Sequence, residues 1–179
     1  MLSGIRDNLG RGSVGDFLAE KLQPGSAVSI VSAYFTIYAY DALRADLDAV
    51  AGIRFLFGEP RFVRAIDPDK THKKAYQIED NGLKLANRLE QGRVARACAD
   101  WIRAKVEIRS IRQANLLHGK MYHIANGGAQ DAILGSSNFT ISGLGLGGNG
   151  RDNIELNLVV DSNRDRQDLL AWFDALWNN

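Results

Sequence analysis

His118 and Lys120 stand one residue apart in a stretch, 117–124, whose apolar and β-branched content predicts a strand. Side chains alternate faces along a strand, so His118, Lys120 and Tyr122 share one side and Met121 and His123 the other. An imidazole next to an ammonium forms a small cationic site suited to a phosphate. The next strand, 132–135, ends in Gly135-Ser136-Ser137-Asn138. A glycine turn with hydroxyls, an amide and free backbone N–H groups at a strand end can cradle phosphate oxygens. A third strand, 153–161, carries Asn153, Glu155 and Asn157 on one face. Glu155 on a strand otherwise fit for burial needs a partner. A histidine that must be oriented and kept basic is the natural one, with a solvated carboxylate as the bland alternative. A GSxN string arises by chance at about one position in a few thousand from ordinary residue usage. Its occurrence in order with HxK and NxE on neighbouring strands is a much stronger joint signal.

Other candidate groups read more plainly. His123 faces away from the motif, as a packed or surface residue, and cannot chelate a metal jointly with His118. Tyr122 shares the motif face and either lines the site or packs. Ser137 points opposite to Ser136 and tightens the turn. Cys98, on an apolar helical face, reads as core rather than nucleophile. Trp101, Trp172 and Trp177 fall at or beside inner helical positions, where core or dimer contact fits better than base stacking. The glycine-rich 143–150 follows no nucleotide-loop pattern and reads as the one mobile loop.

The elements that must position these groups follow from periodicity. Ser13 with Asp16 spells a capping box, and Val14, Phe17, Leu18 and Leu22 share a helical face that Pro24-Gly25 ends. A strand over 27–35, a helix over 38–50 and a strand over 53–57, closed by Gly58-Glu59-Pro60, give the βαβ signature of a parallel pair. Residues 61–75 carry Arg61, Arg64, Lys70, His72, Lys73 and Lys74 against Asp67 and Asp69. Helical patterning runs from Ala75 to a break at Gly92, then over 93–104. There Arg93, Arg96 and Arg103 make either a solvated face or a phosphate-contacting stripe. After a strand over 106–111 and the motif strands, a helix over 164–177 turns Leu169, Leu170, Phe173, Leu176 and Trp177 inward. The expected fold is α/β: a mixed, largely parallel sheet flanked by helices on both faces.

Bulk properties set the frame. A chain of 179 residues is about one domain and needs no staples for its core. A single cysteine excludes a disulfide framework and a cysteine-based zinc site. Net charge is +1, so any nucleic-acid footprint must be local. The opening MLSGIRDNLGRGS is no secretory signal, and no stretch suits a membrane span. The expectation is a soluble, cytoplasmic domain filling 1–179. Its abrupt end fits either the N-terminal part of a longer polypeptide or a natural terminus.

HGK (118–120), GSSN (135–138) and NIE (153–155) resemble the motifs of the phospholipase D superfamily. The texture LLHGKMYHI…AILGSSNFTISGL…NIELNLVV is most similar to phospholipase D-like domains of DNA helicases and metal-independent endonucleases. The resemblance implies that His118 attacks phosphorus to form a phosphohistidine. Lys120, Ser136 and Asn138 then hold the non-bridging oxygens, and Glu155 orients His118. Asn153 and Tyr122 are candidate substrate-binding residues. It implies no cofactor and no metal, a nucleic-acid partner, with DNA favoured and RNA left open, and no membrane. The chain holds a single HxK…GSxN set, so the resemblance implies that the general-acid histidine comes from a second subunit, and a homodimer sharing one active site is expected. The family pattern has an aspartate five residues after the lysine, where this chain has Ala125. Two alternatives follow: a non-catalytic nucleic-acid-binding module attached to a helicase or nuclease, and a lipid phosphodiesterase.

Overall fold

The computed structural model describes residues 4–57, 85–111, 117–148 and 152–179, with 85–89 as helix backbone alone. The basic segment 61–75, His72, the Gly58-Glu59-Pro60 stop and the start of the following helical pattern lie outside the described residues.

The capping box forms as its spacing requires. Asp16 N donates to Ser13 Oγ at 3.0 Å and Ser13 N to Asp16 Oδ2 at 2.8 Å, opening α1 (Val14–Lys21). Strand β1 (Ile5–Arg6) precedes it, and β2 (Ala27–Ser32) follows, shorter than the 27–35 expected. The helix expected over 38–50 is two short ones, α2 (Ile37–Ala42) and α3 (Arg44–Ala49). Leu43 leaves helical geometry between them (φ −109°, ψ 17°), yet Tyr40, Leu43, Leu47 and Val50 all remain buried. Beyond β3 (Gly52–Phe57), α4 (Leu85–Lys105) runs unbroken through Gly92, because an isolated helical glycine costs only about 1 kcal/mol. Then come β4 (Val106–Ser110), β5 (Lys120–Asn126), β6 (Ala129–Gly135), α5 (Ile141–Leu144), β7 (Asn157–Val159) and α6 (Asn163–Trp177). Gly143 and Leu144 close α5, so the start of the glycine-rich stretch is a helix end capped by left-handed Gly145.

Among the described residues seven strands make one sheet in the order β1-β7-β6-β5-β2-β3-β4. The fold is α/β and mixed as expected, but the parallel part is confined to β2-β3-β4. The pairings β2–β5, β5–β6, β6–β7 and β1–β7 are antiparallel, correcting the expectation of a largely parallel sheet. For β5 and β6 the physical reason is the two-residue turn at Gly127-Gly128, which can join only antiparallel neighbours.

Alternation along the strands splits the core in two. Val28, Ile30, Phe55, Tyr122, Ile124 and Ile133 pack with α1 to α5 on one face. Val31, Leu56 and Met121 meet Phe173 and Trp177 of α6 on the other. These pairings bring the C-terminal ends of β1, β2, β3, β4 and β6 to the edge where β5 and β7 begin.

Candidate active site

Lys120, first residue of β5, pairs with Gly135, last of β6, which pairs with Asn157, first of β7. This one row brings the three motifs together. His118 precedes it by two residues, Ser136 to Asn138 follow it directly, and Glu155 enters it from the third side.

Gly135 is required by contact. A Cβ there would lie 2.2 Å from Leu156 O and 2.6 Å from Asn157 Cα, both backbone atoms. Lys120 is 8% exposed, and its Nζ donates to the His118 carbonyl at 3.0 Å, folding the HGK segment on itself. An ammonium has three donors, so two remain for an anion among the described residues. His118 itself is exposed, and among the described residues its ring makes no hydrogen bond. It is therefore accessible to an incoming phosphorus.

The serine loop is tied down from within. Ser136 N donates to Leu156 O at 3.2 Å and Ser137 N to Asn157 Oδ1 at 3.2 Å. These two backbone donors, expected to cradle phosphate, are spent on the fold. The side chains are what the loop offers. Ser136 Oγ donates to Glu155 Oε2 and accepts from Leu156 N at 3.0 Å. Asn138 Oδ1 accepts from Ala33 N at 3.1 Å and Ser32 Oγ at 3.2 Å, which fixes its amide plane. The two N–H groups of that amide carry no partner among the described residues. Ser137 is fully buried, its hydroxyl accepting from Asn157 Nδ2 at 2.9 Å, so it tightens the turn as expected.

Glu155 also accepts from Asn153 Nδ2 at 3.3 Å. The structure thus joins Glu155 to Ser136 and Asn153, and not to the His118 ring. Asn153 to Glu155 lie outside regular strand, since β7 begins only at Asn157. An N-terminal segment that sequence reasoning passed over holds them: Glu155 N donates to Asp7 O at 3.2 Å, and Asn8 Nδ2 to Asn153 O at 3.2 Å. Asn8 does this from a left-handed backbone (φ 62°), a conformation asparagine tolerates. Hydrogen bonds from Leu9 N and Arg11 N, the latter's guanidinium adding its charge, hold the Asp7 carboxyl below its usual range.

Tyr122 does not line the site. It is 1% exposed and donates to Ser137 O at 2.9 Å, supporting the loop from the core side. Burial, with the Glu155 charge adding to it, pushes its phenol well above the usual range, so it stays a neutral donor. Ser32 and Asn157, both buried, carry no role in the sequence reading. Ser32 Oγ accepts from Phe139 N at 2.9 Å, and Asn157 Nδ2 reaches Arg6 O at 3.4 Å.

Ala125 sits at the opposite end of β5, paired with Ala27 and Gln130. It lies five residue steps along the strand from Lys120, roughly 17 Å. An aspartate there would face a different end of the sheet, so its replacement leaves the phosphate-facing groups untouched. Asp131, at the same far end, lies 3.7 Å from Lys21 Nζ.

The arginine stripe of α4 is partly consumed: Arg93 pairs with Glu90 and Arg103 with Asp100. Trp101 is core, donating to Leu47 O at 3.1 Å, and burial pushes the Cys98 thiol up to about 11. Trp172, beside the inner positions of α6, is 42% exposed. Among the described residues no three His, Cys, Asp or Glu side chains group as metal ligands, and no helix is long and apolar enough to cross a membrane.

A search of curated proteins finds no match. The family model described as "Cardiolipin synthase, PLD-like domain" matches residues 23–177.

Proposed function

The chain belongs to the phospholipase D-like domain family, and from that premise we propose a metal-independent phosphodiesterase that cleaves nucleic acid, DNA in particular. One observation carries the reading: the Lys120–Gly135–Asn157 row, which gathers HGK, GSSN and NIE at one edge with donors still unused.

In this reading His118 attacks phosphorus and forms a phosphohistidine, and the P–O bond to the leaving oxygen breaks. The unused N–H groups of Lys120 and Asn138, with the Ser136 hydroxyl, bind the non-bridging oxygens and stabilise the added charge. Lys120 supplies the positive charge that a metal would otherwise bring, and the other two add neutral donors. Ser136 must turn its proton from Glu155 to the phosphate, which releases a carboxylate oxygen to orient the His118 ring. The leaving oxygen takes a proton from a second histidine, which then deprotonates the attacking water and so frees His118. His123 is buried on the other side of β5, and because the chain holds a single HxK…GSxN set, the His118 of a second subunit is assigned that role in a homodimer.

The nucleic-acid substrate rests on the texture shared with the domains of DNA helicases and endonucleases. The test is a substrate panel. Labelled single-stranded and duplex DNA should be cleaved, with binding that weakens steeply as salt rises. Cleavage of phosphatidylcholine vesicles and not of DNA would move the activity to lipid. Salt-sensitive DNA binding without any cleavage would make the domain a targeting module. Sedimentation gives the subunit count, and an active monomer would contradict the shared site.

A further inference from the structure

One row crosses the sheet through Leu56, Val31, Met121, Leu134 and Leu158, each paired with the next and so turned to the same face. Helix α6 covers only part of it. Leu56, Val31 and Met121 are at most 2% exposed beneath Phe173 and Trp177, whereas Leu134 is 38% and Leu158 53% exposed. Leu156 and Ile154, more exposed still, continue the strip beyond the start of β7. They flank Glu155, and Leu156 N donates to Ser136 Oγ at 3.0 Å. The strip therefore runs out at the edge that holds the site. Its nearest strand lies two strand spacings, roughly 10 Å, from that of Lys120. Single exposed apolar residues need no explanation, but four in one strip mark an interaction surface.

We propose that this strip is the face on which a second copy of the chain docks, about a two-fold axis that brings the second histidine to the site. The proposal rests on the reading above, in which a single HxK…GSxN set takes its acid histidine from outside the chain, and it assigns the surface that delivers it. The strip is tied to Ser136 and carries Glu155 within it, so a partner seated there stands beside the groups assigned to phosphate. The surroundings select protein as the occupant. Between the strip and α6 lies an open groove of about 810 Å³, floored by Leu134 and Leu158 and walled by Asp161, Asp165 and Asp168. Three carboxylates beside an apolar floor repel a phosphodiester backbone or an anionic bilayer. An apolar centre with a charged rim is instead the make-up of a protein–protein interface. A two-fold contact uses the same patch on both copies, so the strip of one covers the strip of the other.

The experiment is sedimentation equilibrium of the full chain, wild type beside Leu158→Glu, Ile154→Glu and the control Ile108→Glu. Ile108 is also exposed but stands on β4, the opposite edge strand. Wild type and Ile108→Glu should be dimers. Each strip variant should raise the dimer Kd by about tenfold or more, because the two-fold contact then buries two carboxylates. Cleavage of labelled DNA should fall with the dimer fraction and return at high protein concentration. Circular dichroism checks the fold, and Ile154→Cys gives a reading without a new charge. Maleimide labelling of that thiol should slow as protein concentration rises, while Ile108→Cys keeps one rate. A dimer that both strip variants leave intact, with Ile154→Cys labelled at one rate throughout, overturns the strip and leaves the shared site standing. A monomeric wild type overturns the strip and the shared site together, and binding of that monomer to phosphatidylcholine vesicles, lost in Leu158→Glu, gives the face to lipid. Full cleavage by a monomeric strip variant overturns delivery of the histidine across this face.

Discussion

Two histidines five residues apart, His118 just before β5 and His123 within it, show what separates a reactive group from a structural one. His123 is 1% exposed, with Nε2 at 3.2 Å from Gln130 Oε1. Its surroundings are mutually satisfied. Arg54 donates to Asp174 Oδ1 at 2.6 Å and to Ser29 Oγ at 2.9 Å, and lies 4.8 Å over the Phe173 ring. At the His118 end the balance is reversed. Lys120 uses one of three donors, Asn138 only its oxygen, and the imidazole faces solvent. Hydrogen-bonding capacity left over at a fixed position is what a phosphate can use. Capacity consumed internally holds α6 to the sheet.

The largest way to break this contrast is at the row that builds the site. Gly135→Ala forces a Cβ onto Leu156 O and should cost about 3 kcal/mol of stability, the upper range for overpacking. Phosphodiester cleavage should be lost with it. Urea unfolding beside an activity assay reads both, and wild-type values in both would show that β6 and β7 are not packed as described. Next comes the charge. Lys120→Ala should weaken phosphodiester binding by about 1.5–3 kcal/mol, the value of a charged hydrogen bond. Arg54→Ala, on the opposite face, should leave Kd for DNA unchanged at fixed salt. Equal losses in the two variants would mean that charge anywhere on the domain suffices.

The smallest effect sharpens the structural side. Burial, with Arg54 nearby adding to it, lowers the proton affinity of His123 in the folded state, although its bond to Gln130 acts the other way. The unfolded chain then binds the proton more readily. His123 therefore contributes stability that is complete above the ordinary histidine value of about 6.5 and is lost as pH falls from there toward the lowered folded value. Thermal unfolding between pH 8 and pH 5 should show this decline in wild type and a shallower one in His123→Gln. The same slope in both would contradict a buried neutral imidazole.

The reactive half of the molecule was more legible than its supports. His118, Lys120, Ser136, Asn138 and Glu155 stand out in sequence because phosphate chemistry demands their types at short spacing. Ser32, Asn157, Asp7 and Asn8 do not, because their work is done by hydrogen bonds to residues of other elements, 20 positions away for Asn157 and Ser137 and 107 for Ser32 and Phe139, and a serine or asparagine has no local signature for that. Tyr122 was ambiguous for the same reason: alternation put it on the site face, and only three-dimensional packing shows the loop lying over it. Periodicity gave the helices, but it could not show that Leu43 interrupts one or that Gly92 fails to interrupt another. Strand direction was misjudged because nothing local in the sequence shows that β5 pairs antiparallel with β2.

Cleavage of a labelled oligonucleotide in excess EDTA, wild type beside His118→Ala, tests the central claim most directly. The account predicts chelator-resistant cleavage by the wild type, a phosphoryl adduct on His118 detectable by mass spectrometry after acid-free quenching, and neither in the variant. Cleavage that His118→Ala retains in full would contradict the assignment of His118 as the nucleophile.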